Sequence, residues 1–160
     1  MDKLLTRKEF LSNLGGMFAI GSALSLFPWL TSCTEKGQKE IEGQVAKLGI
    51  IGTGSRGQFH IANLLVDKSA KIVALCDNYE PHLQQAAALC PDARLYSDYR
   101  KLLDDKNVDG VIICTPLNLH APMTIDSLRA GKHVIVERPA ATTVADARKM
   151  DSAARAKGRS

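Results

Sequence analysis

The chain has 160 residues, enough for one domain with a hydrophobic core of its own. A hydrophobic content of 45% and a charged content of 24% are typical of a globular protein. The net charge is only +4 and no block of Lys and Arg is interleaved with aromatic residues, which argues against nucleic-acid binding.

The first predicted element is an export signal over residues 1–33. Lys3, Arg7 and Lys8 precede residues 11–30, a mostly apolar stretch without a charge, as in an export signal. A permanent transmembrane helix is the alternative, and the stretch would just reach across a bilayer. Three glycines and Pro28 make it a weak span, so we favour the signal.

Two short motifs refine the predicted signal. Residues 6–11 resemble the twin-arginine export motif, with Lys8 where the second arginine belongs, which leaves both twin-arginine and general secretion open. Residues 30–33, Leu-Thr-Ser-Cys, resemble a bacterial lipobox and predict lipidation of Cys33, with an incidental cysteine as the alternative. We expect an exported protein, periplasmic or anchored as a lipoprotein, that meets the membrane only through this signal or lipid. The polar residues 34–44 predict a flexible tether.

A βαβ unit is predicted behind the tether. An apolar strand over residues 47–51 runs into a glycine-rich loop, a helix over residues 57–67 and a second strand over residues 71–76. The unit has the expected size of about 30 residues.

The loop Gly52-Thr53-Gly54-Ser55-Arg56-Gly57 is a candidate diphosphate site. Such a motif alone is weak evidence, but here a strand precedes it, a helix follows it and an acid ends the next strand. Gly52 would allow the tight turn, Gly54 the close approach of a diphosphate, and Gly57 the packing of helix on strand. The N–H groups at the start of the helix would bind the anion, and Ser55 of the loop is a further cofactor-binding candidate.

Asp77 follows Gly57 by twenty residues and ends the second strand. It is predicted to accept hydrogen bonds from the adenosine ribose and to repel a 2′-phosphate, which favours NAD over NADP as cofactor. A simple turn residue before Asn78 is the alternative. Arg56 is either a phosphate contact or a solvated charge of the loop, and the second interpretation is preferred.

The remaining pattern predicts a doubly wound, parallel α/β sheet with ligands at the carboxyl ends of its strands. Strands are expected at residues 93–96, 108–114 and 133–136, and helices over 79–89, after Ser97 or Asp98, between Asn118 and Gly131, and from Thr142 or Thr143 onward. Cys76 and Cys114 are interpreted as buried small hydrophobic residues. No cysteine lies at a metal-binding spacing, so no metal is expected. His60, His82 and His133 are interpreted as ordinary helix or strand positions.

Two further segments resemble the Gfo/Idh/MocA family of sugar-related, NAD(P)-dependent oxidoreductases: residues 115–120, TPLNLH, and residues 137–139, Glu-Arg-Pro. The resemblance extends over about residues 45–157 and includes the glycine loop and the acid after the second strand. It implies an NAD-binding Rossmann domain over residues 45–160 that stops before its end. It also implies that the following α/β substrate domain is absent, that the substrate is a small sugar, and that the full-length protein can form an oligomer.

The resemblance also implies roles for single residues. Thr115, Pro116 and His120 would lie near the nicotinamide ribose, and Glu137 would contact the cofactor region. For His120, a structural hydrogen bond at the start of a helix is an equal alternative. Arg138 stands where the family has a lysine that assists proton transfer. Because arginine does not readily give up a proton, Arg138 is expected to orient substrate or cofactor, and it and His120 are the catalytic candidates.

Three functions remain open from the sequence. The first is an exported oxidoreductase acting on a sugar or polyol. The second is a glycosidase resembling glycoside hydrolase family 109, which recycles a tightly bound NAD; residues 137–140 loosely resemble its Glu-Val-Pro-Ala segment, and export favours a bound cofactor because free NAD is scarce outside the cytoplasm. The third is a truncated nucleotide-binding remnant without activity.

Overall fold

A computed structural model describes residues 45–157. The predicted export signal, Cys33 and the tether lie outside the described residues. Within the described residues, five strands and five α-helices alternate along the chain: β1 (Ala46–Ile51), α1 (Ser55–Leu64), β2 (Ala70–Cys76), α2 (Glu80–Leu89), β3 (Arg94–Tyr96), α3 (Tyr99–Leu103), β4 (Gly110–Ile113), α4 (His120–Arg129), β5 (His133–Val136) and α5 (Val144–Lys157).

All strand pairs are parallel, and the sheet order is β3-β2-β1-β4-β5. The predicted doubly wound α/β sheet is therefore confirmed. The strand order reverses at β1, which pairs with β2 on one side and β4 on the other. In open α/β sheets this reversal leaves a crevice at the carboxyl ends of the strands, where ligands bind.

Two apolar layers cover the two faces of the sheet, because alternate residues of each strand point to opposite sides. Along β1, Ile50 joins the layer beneath α1 and α2, whereas Ile51 joins the layer beneath α3. All four residues of β4 are buried, as expected for a central parallel strand covered on both faces. The sheet is thus a rigid support for the loops at its carboxyl edge.

Two predicted caps are confirmed, whereas the ends of α1 and the cap of α4 were predicted wrongly. Helix α1 spans Ser55–Leu64 instead of residues 57–67, because it begins within the glycine loop and ends in a turn at Leu65. The Asp98 carboxylate accepts from the N–H of Arg100 at 3.0 Å and caps α3, and the Thr143 hydroxyl accepts from the N–H of Asp146 at 3.0 Å before α5. Asn118 does not cap α4. It lies in a single turn of 3₁₀ helix over Leu117–Leu119, which leads directly into α4.

Within residues 45–157, no helix is both long enough and apolar enough to cross a bilayer. Over the same residues, no three side chains of His, Cys, Asp or Glu are grouped so that they could share a metal ion.

Candidate functional site

A cavity of about 550 Å³ lies at the carboxyl ends of β1, β2 and β4. Its position is the one predicted from the strand order. It is lined by the glycine loop, by the residues that end or follow three of the strands, and by the start of α3; these include Gly52, Gly54, Asp77, His82, Ser97, Tyr99, Arg100, Thr115, Pro116 and Leu119.

The glycine loop folds so tightly that two of its glycines have no room for a side chain. Gly52 has a φ of +90°, and a Cβ atom there would lie 2.8 Å from the carbonyl carbon of Cys114. A Cβ atom on Gly57 would lie 2.1 Å from the carbonyl oxygen of Gly52. The predicted roles of these two glycines, the turn and the packing of α1 against β1, are confirmed.

The first turn of α1 is open to an anion. Gly54 precedes the helix and offers no side chain to cap it. The nearest atoms to a Cβ built on Gly54 would be those of the His82 ring at 3.4 Å, so no backbone crowds this point of the loop. The N–H groups at the start of α1, from Ser55 onward, carry the partial positive charge that binds phosphate groups at helix N-termini. This part of the chain therefore fits a dinucleotide diphosphate.

Asp77 links the glycine loop to the end of β2. Its Oδ2 accepts from the backbone N–H of Thr53 at 2.7 Å and from the Thr53 hydroxyl at 3.2 Å. Its Oδ1 accepts from the N–H of Tyr79 at 2.9 Å, which makes the local turn that was the alternative interpretation of this residue. The side chain is 10% exposed and also lines the cavity, so both interpretations describe part of what Asp77 does.

The far end of the cavity was not predicted. The Tyr99 ring packs under the guanidinium of Arg100, whose Cζ lies 4.6 Å from the ring centroid. Burial and the hydrogen bond from the Tyr99 hydroxyl to Asp126 raise the pKa of Tyr99 to about 12. His82, interpreted from the sequence as an ordinary helix position, lines the cavity and has its Nδ1 3.9 Å from Oδ2 of Asp77.

Two thiols also face this cavity. Cys76 is buried as predicted, whereas Cys114 is half-buried and packs against the core, so the prediction holds only in part for Cys114. Burial, together with the neighbouring charge of Asp77 for Cys76 and of Glu137 for Cys114, raises the pKa of each thiol to about 12. Both are therefore protonated at neutral pH and lack the thiolate that a cysteine nucleophile needs.

His120 is a buried link between two loops. It is 3% exposed, its Nδ1 lies 2.9 Å from the carbonyl oxygen of Pro139, and its Nε2 lies 2.8 Å from that of Thr115. Both ring nitrogens are thus engaged with backbone carbonyls of the loops after β4 and β5. This geometry is that of the structural alternative. Thr115 and Pro116 themselves line the cavity, as predicted.

Glu137, directly after β5, has three hydrogen-bond partners. Its Oε1 accepts from Nε of Arg56 at 2.7 Å and lies 2.5 Å from Nε2 of His60, while its Oε2 accepts from the N–H of Arg138 at 3.1 Å. The hydrogen bonds from His60, Arg56 and the Arg138 backbone lower the pKa of Glu137 to about 2. Arg56 is half exposed and paired with Glu137, so it is not simply a solvated charge. His60 lies on a helix as predicted, but its contact with Glu137 was not predicted.

A second cavity, of about 540 Å³, opens beside this cluster and is lined by Arg56, Glu137, Arg138 and Pro139. The Arg138 side chain is exposed there, and only its backbone N–H contacts Glu137. The position is compatible with the predicted orienting role, which stays a prediction.

Comparison with known proteins agrees with this geometry. The profile of the Gfo/Idh/MocA oxidoreductase family, described as having an NAD-binding Rossmann fold, matches residues 46–160. The chain belongs to this family. Its cofactor is accordingly a nicotinamide adenine dinucleotide, as predicted from the glycine loop and Asp77.

Two curated relatives are glycosidases. The α-N-acetylgalactosaminidase of Shewanella oneidensis is 36% identical over 110 residues, which are 63% of this chain and 24% of that protein. A glycosyl hydrolase family 109 protein of Shewanella baltica is 31% identical over 157 residues, covering 86% of this chain and 34% of that protein. The chain thus spans only 24% to 34% of the length of these relatives.

Solved structures of oxidoreductases share the fold. The WlbA dehydrogenase of Bordetella pertussis, in complex with NADH and UDP-GlcNAcA, matches with a TM-score of 0.69 and 31% identity over 72% of this chain and 36% of that one. Biliverdin reductase of Synechocystis, in complex with biliverdin and NADP⁺, matches with the same TM-score, identity and coverage. Both NAD and NADP thus occur among similar structures.

Proposed function

We propose that this domain binds NAD in preference to NADP, within an enzyme that exchanges hydride with a carbon of a sugar or polyol. One observation carries the proposal: the uncapped first turn of α1 opens beside a cavity that Asp77 bounds. The helix terminus favours a diphosphate, and the carboxylate, which accepts hydrogen bonds, suits ribose hydroxyls and disfavours a 2′-phosphate.

In this proposal the nicotinamide supplies the hydride chemistry, and the residues of this chain bind the cofactor and orient it and the substrate. The α1 terminus and Asp77 fix the two ends of the adenosine diphosphate. Thr115 and Pro116 border the cavity on the other side of β1, where the nicotinamide half would lie. Arg138 would donate hydrogen bonds to substrate or cofactor without accepting a proton, since its guanidinium stays charged.

Calorimetric titration of the full chain with NAD and with NADP tests the cofactor proposal. We expect NAD to bind at least tenfold more tightly than NADP. Equal affinities would contradict the role of Asp77 in discrimination, and an absence of binding by both would contradict the proposed function of the domain.

A glycosidase is the second candidate, and the curated relatives favour it. A transient oxidation of the sugar by a bound, recycled NAD would need no free cofactor, which suits an exported enzyme. Arg138 also favours it, because the lysine that assists proton transfer in the family's oxidoreductases is replaced.

The two candidates are distinguished by activity. A glycosidase isolated from its own cell envelope would cleave an aryl N-acetylgalactosaminide without added NAD. Reduction of added NAD by a free sugar would favour the oxidoreductase instead. Bound nucleotide with neither activity would indicate the inactive remnant.

We also propose that the protein is exported and carries lipid on Cys33, on the strength of residues 1–33 alone. A native mass spectrum of protein from the cell envelope would test this, because it measures chain length, lipid and bound nucleotide together. A diacylglycerol-bearing N-terminal Cys33 is expected, and Cys33→Ser should abolish the lipid. A chain that retains residues 1–32 in wild-type cells would contradict the proposal.

A further inference from the structure

Arg56 is the second residue of α1, and its guanidinium is held from two directions. Glu137, 81 residues later in the chain, accepts from its Nε at 2.7 Å. The ring of Phe59, one turn further along α1, lies under the guanidinium with its centroid 4.8 Å from Cζ. Glu137 is itself fixed, because its side chain is only 14% exposed and both of its oxygens are engaged. The orientation of Arg56 is therefore defined although the side chain is half exposed.

The two terminal nitrogens of Arg56 are the donors that remain. Among the described residues, neither of them has a hydrogen-bond partner, and only Nε is engaged. They belong to a side chain that begins in the first turn of α1 and borders the second cavity. A planar guanidinium with a free pair of N–H groups is suited to bidentate contact with phosphate oxygens.

We propose that Glu137 is a positioning residue that acts through Arg56. It holds the guanidinium so that the terminal N–H groups face the diphosphate of a dinucleotide bound at the start of α1. This inference rests on the proposed dinucleotide binding. Of the two interpretations of Arg56 made from the sequence, the inference favours the phosphate contact. In this inference Glu137 fixes the orientation in which Arg56 makes that contact.

The direction in which affinity changes after neutralisation of Glu137 distinguishes a positioning role from a simple charge effect. Glu137 is an anion near the proposed diphosphate, so its removal would by charge alone strengthen binding of an anionic ligand. Positioning predicts the opposite, because Arg56 without Glu137 would lose its fixed orientation and part of its contact. A weaker complex after neutralisation of Glu137 is thus not explained by charge.

The test is a double-mutant cycle on the full chain, with ADP-ribose as probe and Kd measured by calorimetry. We expect Arg56→Met to raise Kd about tenfold or more, the size of a lost hydrogen bond to a charged group. Glu137→Gln should raise Kd several-fold when Arg56 is present, and should leave it unchanged or lower it in the Arg56→Met chain, where only the charge of Glu137 acts. An equal effect of Glu137→Gln in both backgrounds, or tighter binding when Arg56 is present, would overturn the inference.

A matched pair on α5 provides the control. Arg155 donates from Nε to Asp151 at 2.9 Å, in a similar ion pair on α5, a helix that does not line either cavity. Arg155→Met and Asp151→Asn should leave Kd unchanged.

If Glu137→Gln fails to fold, Arg56→Lys is used instead. This variant keeps the positive charge but loses the paired N–H groups of the guanidinium, and an unchanged Kd would overturn the inference. Wild-type chain that does not bind ADP-ribose would overturn the proposed function as well, whereas binding with unaffected variants overturns this inference alone.

Discussion

Thr53 donates to Asp77 from both its backbone N–H and its hydroxyl, so the glycine loop is tied to the end of the neighbouring strand. Thr53 is completely buried, and Asp77 is nearly so. The carboxylate that we propose to recognise the ribose is thus also the support of the loop that receives the diphosphate. A substitution of Asp77 is therefore expected to change both the affinity for the cofactor and the stability of the folded chain.

Replacement of Asp77 should separate these two tasks. Asp77→Asn retains the shape and one acceptor oxygen, so we expect discrimination against NADP to fall while the fold persists. Asp77→Ala leaves the buried N–H of Thr53 without its partner, so it should in addition lower the free energy of unfolding by about 1–3 kcal/mol. Urea unfolding and titration with both cofactors measure the two effects.

Asp92→Asn is the control for Asp77, because the Asp92 side chain is 82% exposed and only 3.8 Å from a lysine. It should change neither quantity beyond about 0.5 kcal/mol. If Asp77→Asn kept the full preference for NAD, the negative charge of Asp77 would not be the source of discrimination.

Gly57→Ala should prevent stable folding. The added methyl carbon would lie 2.1 Å from the Gly52 carbonyl oxygen, a backbone atom that can move only if the loop and α1 separate from β1. We expect a loss that exceeds about 3 kcal/mol, at the upper end for single substitutions. The thermal midpoint of unfolding measures it.

Gly131 is a matched control for Gly57. Its φ of +78° strains any side chain, yet nothing lies within 4 Å of a Cβ atom built there. Gly131→Ala should cost only about 1 kcal/mol, the conformational part. Comparable losses at both glycines would mean that packing of α1 on β1 is not what requires Gly57.

The ion-pair cluster around Glu137 predicts acid sensitivity. In the folded chain its pKa is about 2, below the ordinary value of 4.5, so the folded state favours the ionised form. The resulting stabilisation is present above about pH 4.5 and is lost as the pH falls towards 2. Urea unfolding of wild type and Glu137→Gln between pH 7 and pH 3 measures it: the wild type should be the more stable at pH 7, and the difference should shrink with acid.

Asp92→Asn, at a side chain that is 82% exposed, provides the comparison, and its stability at pH 7 should match that of the wild type within about 0.5 kcal/mol. A difference for Glu137→Gln that is constant from pH 7 to pH 3 would contradict the assignment of the stabilisation to the ionised carboxylate.

The thiols of Cys76 and Cys114 should resist alkylation in the folded chain. With a pKa of about 12, each is ionised in only about one molecule in ten thousand at pH 8. Labelling with iodoacetamide, followed by peptide mass spectrometry, should be slow for both and fast in urea. Rapid modification of Cys114 in the native chain would contradict its burial-driven pKa.

Local pattern was sufficient for the order of strands and helices and for much of the loop. Apolar runs of four to six residues, separated by amphipathic stretches, specify a parallel sheet, and Asp98 and Thr143 occupy positions where their own neighbours need a cap. Gly52 and Gly57 were predictable because only glycine fits so tight a turn between strand and helix. The prediction that Asn118 caps α4 was wrong, because a 3₁₀ turn continues into α4 without a side-chain cap.

The cluster of Arg56, His60 and Glu137 could not be predicted in the same way. The partners lie 81 and 77 residues apart, and they meet only because α1 and the end of β5 are brought together by the sheet. Neither Arg56 nor His60 carries a local signal of a partner. The same holds for the bond between Thr53 and Asp77, because Asp77 lies 24 residues further along the chain, just after the neighbouring strand.

His120 connects two loops, one after β4 and one after β5, because its ring lies within hydrogen-bonding distance of a backbone carbonyl of each. One of these loops borders the first cavity through Thr115, and the other borders the second cavity through Pro139. Because one buried ring contacts a backbone carbonyl of each loop, a displacement of either loop on ligand binding would be transmitted to the other. The two cavities are therefore mechanically coupled through a single side chain.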